Sequence, residues 1–426
     1  MDQPTFVDGF HDHEAVAKMQ YNPLGTTGMA VSELSLGTSA FGSVFRPTDD
    51  SECLAVLDLA VRSGVNLIDS APWYGHGKAE TILGRGLQKI SRSAYYLATK
   101  VGRYQPEVDK MFDFRAERVI ASVDESLNRL GLDYVDVIQV HDMEFAPSLD
   151  VILHETLPAL QKVKDSGKAR FIGITGYPLE NFKTVLTKSS VRIDTVLTYC
   201  RGSMNDNSLQ EYMPFFKERG VGVINASALG MGLLSNRGPA SWHPAQDDIK
   251  DACAEAAKYC KDRNVDISRL ALKFTLGQPG VASTLISTAR YGRFHPYQHS
   301  RYSRFHPYQH SQVWSLPPLS AQPGIVASTL ISTARYSRFH PYQHSQVWSL
   351  PPLSAQPGIV ASTLISTASV DNMKANLEFM VSPLTDNEET IMQEVLEKYM
   401  YPLKNKHWEG IEVHKYRTKL AGAADI

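Results

Sequence analysis

The chain has little of what would tie it to a nucleic acid, a membrane or an oxidising compartment. Its 426 residues carry 43 Lys+Arg against 45 Asp+Glu, a formal charge of −2. With no basic surplus to neutralise a phosphate backbone or attract an anionic bilayer, neither nucleic acid nor membrane is expected as a partner. No apolar run approaches the roughly 18 residues that suggest a bilayer span. The first residues, MDQPTFVDGFHDHEAVAKMQ, lack the basic start and apolar centre of a secretory signal, so a cytosolic protein is expected. Cysteine is scarce. Cys53, Cys200, Cys253 and Cys260 form no CxxC pair, which predicts reduced thiols and no metal site. Cys253 and Cys260 stand seven apart in a helical stretch and suit one buried face. No GxGxxG follows the first strand, so a Rossmann-type dinucleotide site has no support. Gly84-Arg85-Gly86 is only a GxG inside a helical stretch and reads as close packing.

What the sequence has in excess is repetition. Residues 301–334 match 335–368 at every position, RYGRFHPYQHS (290–300) recurs as RYSRFHPYQHS (301–311), and ASTLISTA begins at 282, 327 and 361. Removing 290–368 joins QPGVASTLISTA directly to SVDNMKANLE, which reads as an uninterrupted strand, turn and helix. The repeats are rich in Pro, His, Ser and Tyr and offer no periodic apolar face, so they read as an insertion rather than a solenoid. Their three HPYQH copies hold six of the 14 histidines at a His-x3-His spacing. Pro after each first His and the lack of a third ligand nearby argue for a copied accident over a metal site. Each unit opens Arg-Tyr and closes with Gln before Pro-Gly, codons that could mimic splice junctions, so part of the segment reads as translated intron. The expected organisation is a tail (1–20), the first part of a barrel (21–289), a repetitive insertion (290–360) and barrel completion with a C-terminal helix and tail (361–426). Any ASTLISTA copy could supply the last strand. The third is favoured because it keeps the short turn into SVDNMKANLE.

Outside the insertion, apolar runs alternate with amphipathic segments, and 43% of residues are apolar or aromatic, enough for a large core. Candidate strands are SELSLGT (32–38), VNLID (65–69), YYLATK (95–100), VDVIQVH (135–141), RFIGIT (170–175), DTVLTYC (194–200), GVINAS (222–227) and one STLIS copy. In RAERVIASVDESLNRLG, residues Val119, Ile120, Val123, Leu127 and Leu130 share one helical face and Gly131 supplies the stop. Cys53, Leu54, Leu57, Ala60 and Val61 repeat the pattern before Gly64. Eight such units predict an α/β fold of (β/α)8 TIM-barrel type, with YNPLGTTGMAVS as an N-terminal hairpin sealing its bottom and the long repetitive insertion near strand eight.

Barrels of this kind gather reactive groups where strands end. Asp69 ends strand two and Tyr74 follows in DSAPWYG, Lys100 ends strand three, and His141 ends strand four in QVHD. Each alone has an ordinary explanation: a loop-capping Asp, a solvated Lys, a satisfied His. Together on one rim they make a candidate set for hydride-transfer chemistry, where charge builds on a carbonyl oxygen and a proton must be supplied beside it. Tyr74 can supply the proton, and Lys100 some 4 Å away would lower its pKa by up to about three units. Asp69 would hold the ammonium, and His141 would hydrogen-bond the reacting oxygen.

These motifs, DSAPWYG, TK and QVHD, resemble the signature of the aldo-keto reductases, whose tetrad is Asp, Tyr, Lys and His. The resemblance covers about residues 20–289 and 361–380. HDMEF (141–145), GITGYPLENF (173–182), TYCRGSMND (198–206), NASALGMGLL (225–234) and WHPA (242–245) are similar to the branch of sugar dehydrogenases that oxidise an aldose at its anomeric carbon to a lactone. The resemblance implies NAD or NADP as cofactor and an aldose or small aldehyde as substrate. Its carried-over cofactor contacts are Thr38, Thr175, Thr198, then Ser227, Leu229, Gly230 and Gly232, and near the adenosine Ser366, Asn372 and Asn376. Glycines at 230 and 232 would let backbone amides approach phosphate oxygens. Members selective for NADP usually carry Lys and Arg where this chain has Ser366 and Asn372, so NAD or dual use is expected. Two other readings stand beside the enzyme: a cofactor-binding regulatory subunit similar to potassium-channel β subunits, and an enzyme inactivated by its insertion. Composition says nothing of oligomeric state.

Overall fold

The strand candidates assemble as alternation with helices requires. The computed structural model describes residues 3–44, 47–286 and 369–424. Eight parallel strands close a barrel: β3 (Leu34–Gly37), β4 (Leu67–Asp69), β5 (Tyr96–Val101), β6 (Val135–Val140), β7 (Ala169–Gly176), β8 (Thr195–Tyr199), β9 (Gly222–Ala226) and β10 (Ser283–Ile286). β10 closes the ring by pairing with β9 through Ser283↔Ile224 and with β3 through Thr284↔Leu34. All six residues of β5, and all six of β6, are buried, as expected of parallel strands covered on both faces.

The helical readings hold, with Leu54 and Ile120 at the half-buried edge of their faces. Helix Ala116–Leu130 buries Val119, Val123, Leu127 and Leu130, and Gly131 ends it with φ +67°. Helix Asp50–Arg62 buries Cys53, Leu57, Ala60 and Val61. Cys253 and Cys260 share the buried face of helix Asp247–Lys261, and burial pushes both thiols up to about 12, so they pack as small apolar groups. Gly84 lies where a Cβ would come within 2.4 Å of the Arg129 carbonyl oxygen, the close helix packing expected of the GxG.

Strand eight departs from expectation. The first ASTLISTA copy, not the third, supplies β10; the second and third copies lie outside the described residues, as does the rest of the repeat. Helix Ile267–Leu276 ends six residues before Ser283, so a short loop leads into β10 and the long connection follows it, before helix Val370–Val381. Helix Val370–Val381, capped by Ser369, packs beside helices Asp50–Arg62 and Ile267–Leu276, as the SVDNMKANLE reading requires.

The bottom of the barrel is sealed as the hairpin pattern predicts. β1 (Tyr21–Pro23) and β2 (Ala30–Ser32) pair antiparallel, and Leu24, Met29 and Val31 join one apolar cluster with the barrel-interior residues Leu67, Val137 and Ile224. Buried acids tie neighbouring strands at this end. Asp136 accepts from the Leu97 amide (2.9 Å) and from Arg92 (2.5 Å) and Arg170 (2.7 Å). Asp194 accepts from the Ile172 amide (3.0 Å), Lys164 (3.1 Å) and Arg192 (2.9 Å). No described helix is long and apolar enough to cross a membrane, and no described group of His, Cys, Asp and Glu could hold a metal ion.

Candidate active site

At the opposite rim the four candidate residues meet. Asp69 is the last residue of β4, Lys100 the fifth of β5, and His141 follows β6 directly. Tyr74 stands in the turn after β4, and two glycines fix that turn. A Cβ on Gly42 would fall 2.3 Å from the Tyr74 backbone, and one on Gly75 (φ +66°) 2.1 Å from the Gly42 oxygen, so only glycine lets these loops touch and seat the phenol.

Lys100 Nζ donates to Asp69 Oδ1, to the Ser70 carbonyl at 2.8 Å and to the Tyr74 hydroxyl at 3.3 Å. Gln139 donates to the other Asp69 oxygen at 2.8 Å. The Tyr74 and His141 rings meet edge to face at 5.9 Å. Burial pulls the Lys100 pKa down, but Asp69 and Tyr74 outweigh it and hold the ammonium above its ordinary value. Tyr74 differs from expectation. Burial raises its phenol and outweighs the opposing pull of Lys100, and Asp69 and Asp142 add negative charge in the same direction as burial. His141 is lowered to about 3, chiefly by burial, so its imidazole is neutral at pH 7.

Tyr74, Lys100 and His141 line a cavity of about 380 Å³ with Thr175, Ser227 and Leu229. Thr175 Oγ1 accepts from the Asp142 amide at 3.0 Å, which leaves its hydroxyl proton to face the cavity. Gly230 and Gly232 follow in the same loop with φ +57° and +111°, and His243 of WHPA anchors that loop through the Gly230 oxygen at 3.0 Å. Thr38 follows β3, its amide and hydroxyl both bond the Asp69 carbonyl at 3.0 Å, and its neighbours Gly37 and Ser39 line the cavity. Thr198 is buried outside the cavity wall, Asn372 and Asn376 lie in helix Val370–Val381, and Ser366 falls outside the described residues.

A dinucleotide fits these residues on two observations. Thr198 Oγ1 and Asn376 Nδ2 are buried with no hydrogen-bonding partner among the described residues, and the 227–232 loop holds four left-handed backbones, at Ser227, Gly230, Met231 and Gly232. Sequence reasoning missed Gln139, although it points to the same side of β6 as His141, two residues on. It also missed Trp73, Arg103, Tyr199, Trp242 and Glu412, which line the cavity from separate loops, a strand end and a helix that no local pattern joins.

A carboxylate-anchored ammonium beside a buried phenol, at the C-terminal rim of a closed parallel barrel, defines a barrel oxidoreductase. The chain belongs to the aldo/keto reductase family, whose model matches residues 33–316. It is 46% identical to the L-galactose dehydrogenase of Arabidopsis thaliana over 274 residues, 64% of this chain and 84% of that protein. It is 31% identical to the D-arabinose 1-dehydrogenase of Saccharomyces cerevisiae over 268 residues, 58% of this chain and 76% of that one. A holo-form aldo-keto reductase of Bacillus halodurans shares the fold with a TM-score of 0.59 at 22% identity, covering 91% of this chain and all of that one. The family typically uses NAD(P)H.

Proposed function

We propose that the chain oxidises an aldose at its anomeric carbon to a lactone, with NAD or NADP as hydride acceptor, and runs the reverse reduction on small aldehydes. The observation that carries this reading is the 3.3 Å approach of Lys100 Nζ to the Tyr74 hydroxyl inside the cavity that His141 also lines. The bound nicotinamide supplies hydride acceptance or donation at carbon. The chain's own residues handle the proton. In oxidation the ionised form of Tyr74 would take the proton of the anomeric hydroxyl at Oη while C1 loses hydride, and the C1–O bond becomes the lactone carbonyl. Lys100 stabilises the phenolate that takes up this proton, and in the reverse reduction the charge left on Tyr74 when it gives the proton up; Asp69, held by Gln139, keeps the ammonium in place. Neutral His141 donates a hydrogen bond to the reacting oxygen.

Thr175, Thr198, the 227–232 loop and Asn376 would hold the dinucleotide. Asn372, where a cation would pair with a 2′-phosphate, supports NAD or dual use over strict NADP selectivity. The tetrad is complete with strand eight drawn from before the repeats, which favours a working enzyme over one disabled by its insertion. The test is absorbance at 340 nm with L-galactose, D-arabinose and an aromatic aldehyde, each with both cofactors. Turnover that Tyr74→Phe abolishes supports the reading. Tight cofactor binding with no turnover of any of the three would overturn it in favour of the regulatory-subunit reading.

A further inference from the structure

Four of the stretches that mark the sugar-dehydrogenase resemblance converge on one place, and it is not the tetrad. Tyr177, from GITGYPLENF, accepts from the Trp408 amide at 3.1 Å and stacks on its indole at 5.1 Å. His243, from WHPA, meets the same indole at 4.9 Å. From TYCRGSMND, Asn205 donates to the Lys406 carbonyl at 3.3 Å and Arg201 pairs with Glu409 at 2.9 Å. From HDMEF, Glu144 accepts the Tyr177 amide at 3.0 Å, and Phe145 packs against Tyr416 at 5.6 Å. All of these groups seat one segment near the C-terminus, residues 405–417, over the mouth of the barrel. Trp408 is its anchor, 1% exposed.

The seat presents one side chain to the cavity. Glu412, in helix Ile411–Ala424, lines it together with Tyr199 and Arg103. The Tyr199 hydroxyl and the Trp408 indole N–H both donate to Glu412 Oε2, each at 3.3 Å. They fix the carboxyl plane, and Oε1 is the oxygen left to accept from a ligand. Arg103, the cation on this side of the cavity, is already bound to Asp142 at 2.7 Å. A carboxyl held by two donors, beside an arginine whose charge is paired with Asp142, suits a ligand rich in hydroxyl groups.

We propose that Glu412 is the specificity-determining residue for the polyol part of the substrate, reading a hydroxyl remote from the reacting carbon, and that residues 405–417 exist to hold it there. This rests on the aldose reading above and extends it to the part of the sugar that does not react. An aromatic aldehyde of similar size needs the tetrad but has no hydroxyl for Glu412. The two substrates therefore respond differently to the same change.

The experiment compares the full chain with Glu412→Gln and Glu412→Leu, measuring kcat and KM for L-galactose and for 4-nitrobenzaldehyde, with cofactor affinity and Tm as controls. The expected result is a loss of at least tenfold in kcat/KM for the sugar, carried by KM and larger for Leu than for Gln. The aldehyde should stay within twofold. Tyr199→Phe keeps the ring stacked on Tyr177 and removes only one donor to Oε2. It should show the same split at smaller size, and it carries the test if the Glu412 variants do not fold. Equal losses on both substrates would mean a merely structural tail and overturn the proposal, as would no change on either. Those results leave the aldose reading standing, whereas a wild-type chain that turns over the aldehyde but no sugar overturns both.

Discussion

The two ends of the barrel treat buried charge in opposite ways. At the bottom, Asp136 and Asp194 are each matched by two basic side chains and a backbone amide from the neighbouring strand. At the top, Glu144 Oε2, His141 Nδ1 and Thr198 Oγ1 are buried with no partner among the described residues. Burial, with Asp142 close by, raises the Glu144 carboxyl well above its ordinary value. An unsatisfied buried polar group costs roughly 1–3 kcal/mol, and at the top a ligand in the cavity that His141 lines can offset part of that cost. Charge at the bottom holds strands in register; charge at the top waits to be used.

If that division is right, substitutions at the two ends should separate activity from stability. Tyr74→Phe removes the proton donor and should cut kcat by about 10³-fold, roughly 4 kcal/mol, while Tm measured by scanning calorimetry stays level. Asp136→Asn should do the reverse. It leaves Arg92 and Arg170 without their anion and should cost about 2–3 kcal/mol of unfolding free energy in urea, less than a fully buried pair because both arginines reach solvent, with kcat of the folded enzyme unchanged. A kcat loss in Asp136→Asn would break the comparison.

Two smaller effects sharpen it. Gln139→Leu frees one oxygen of Asp69 and should lower kcat about tenfold, roughly 1.4 kcal/mol, without moving cofactor affinity. Glu144→Gln tests the top rim by pH. Because the folded carboxyl titrates above the unfolded one, the folded state holds a proton that the unfolded state releases. Its contribution to stability is complete below about pH 4.5 and is lost as pH rises through the folded pKa. Glutamine does not titrate, so the variant's Tm should gain on wild type between about pH 5 and 8, by on the order of 1 kcal/mol. A constant difference across that range would show that Glu144 is ionised throughout.

The sequence made the barrel and the tetrad legible because both are local. Asp69, Lys100 and His141 each end a continuous apolar run, and strand ends share one rim in this architecture. Strand eight was ambiguous because three identical segments offer the same pairings, so no residue pattern could choose among them. The direction of the Tyr74 shift was missed because a pairwise estimate of Lys100 leaves out burial, the larger influence. Glu412 and Arg103 were invisible because they enter the cavity from segments 309 residues apart, which only the fold brings together.

The choice of the first ASTLISTA copy also bears on how the polypeptide is made. It begins at residue 282 and the next copy at 327, a lag of 45 residues in translation, or roughly 2–9 s at ordinary ribosome speeds. Closure of a small domain takes milliseconds to seconds. The first copy therefore has the open sheet edges to itself before its duplicates emerge, and the order of synthesis protects the register that three equal competitors would otherwise contest.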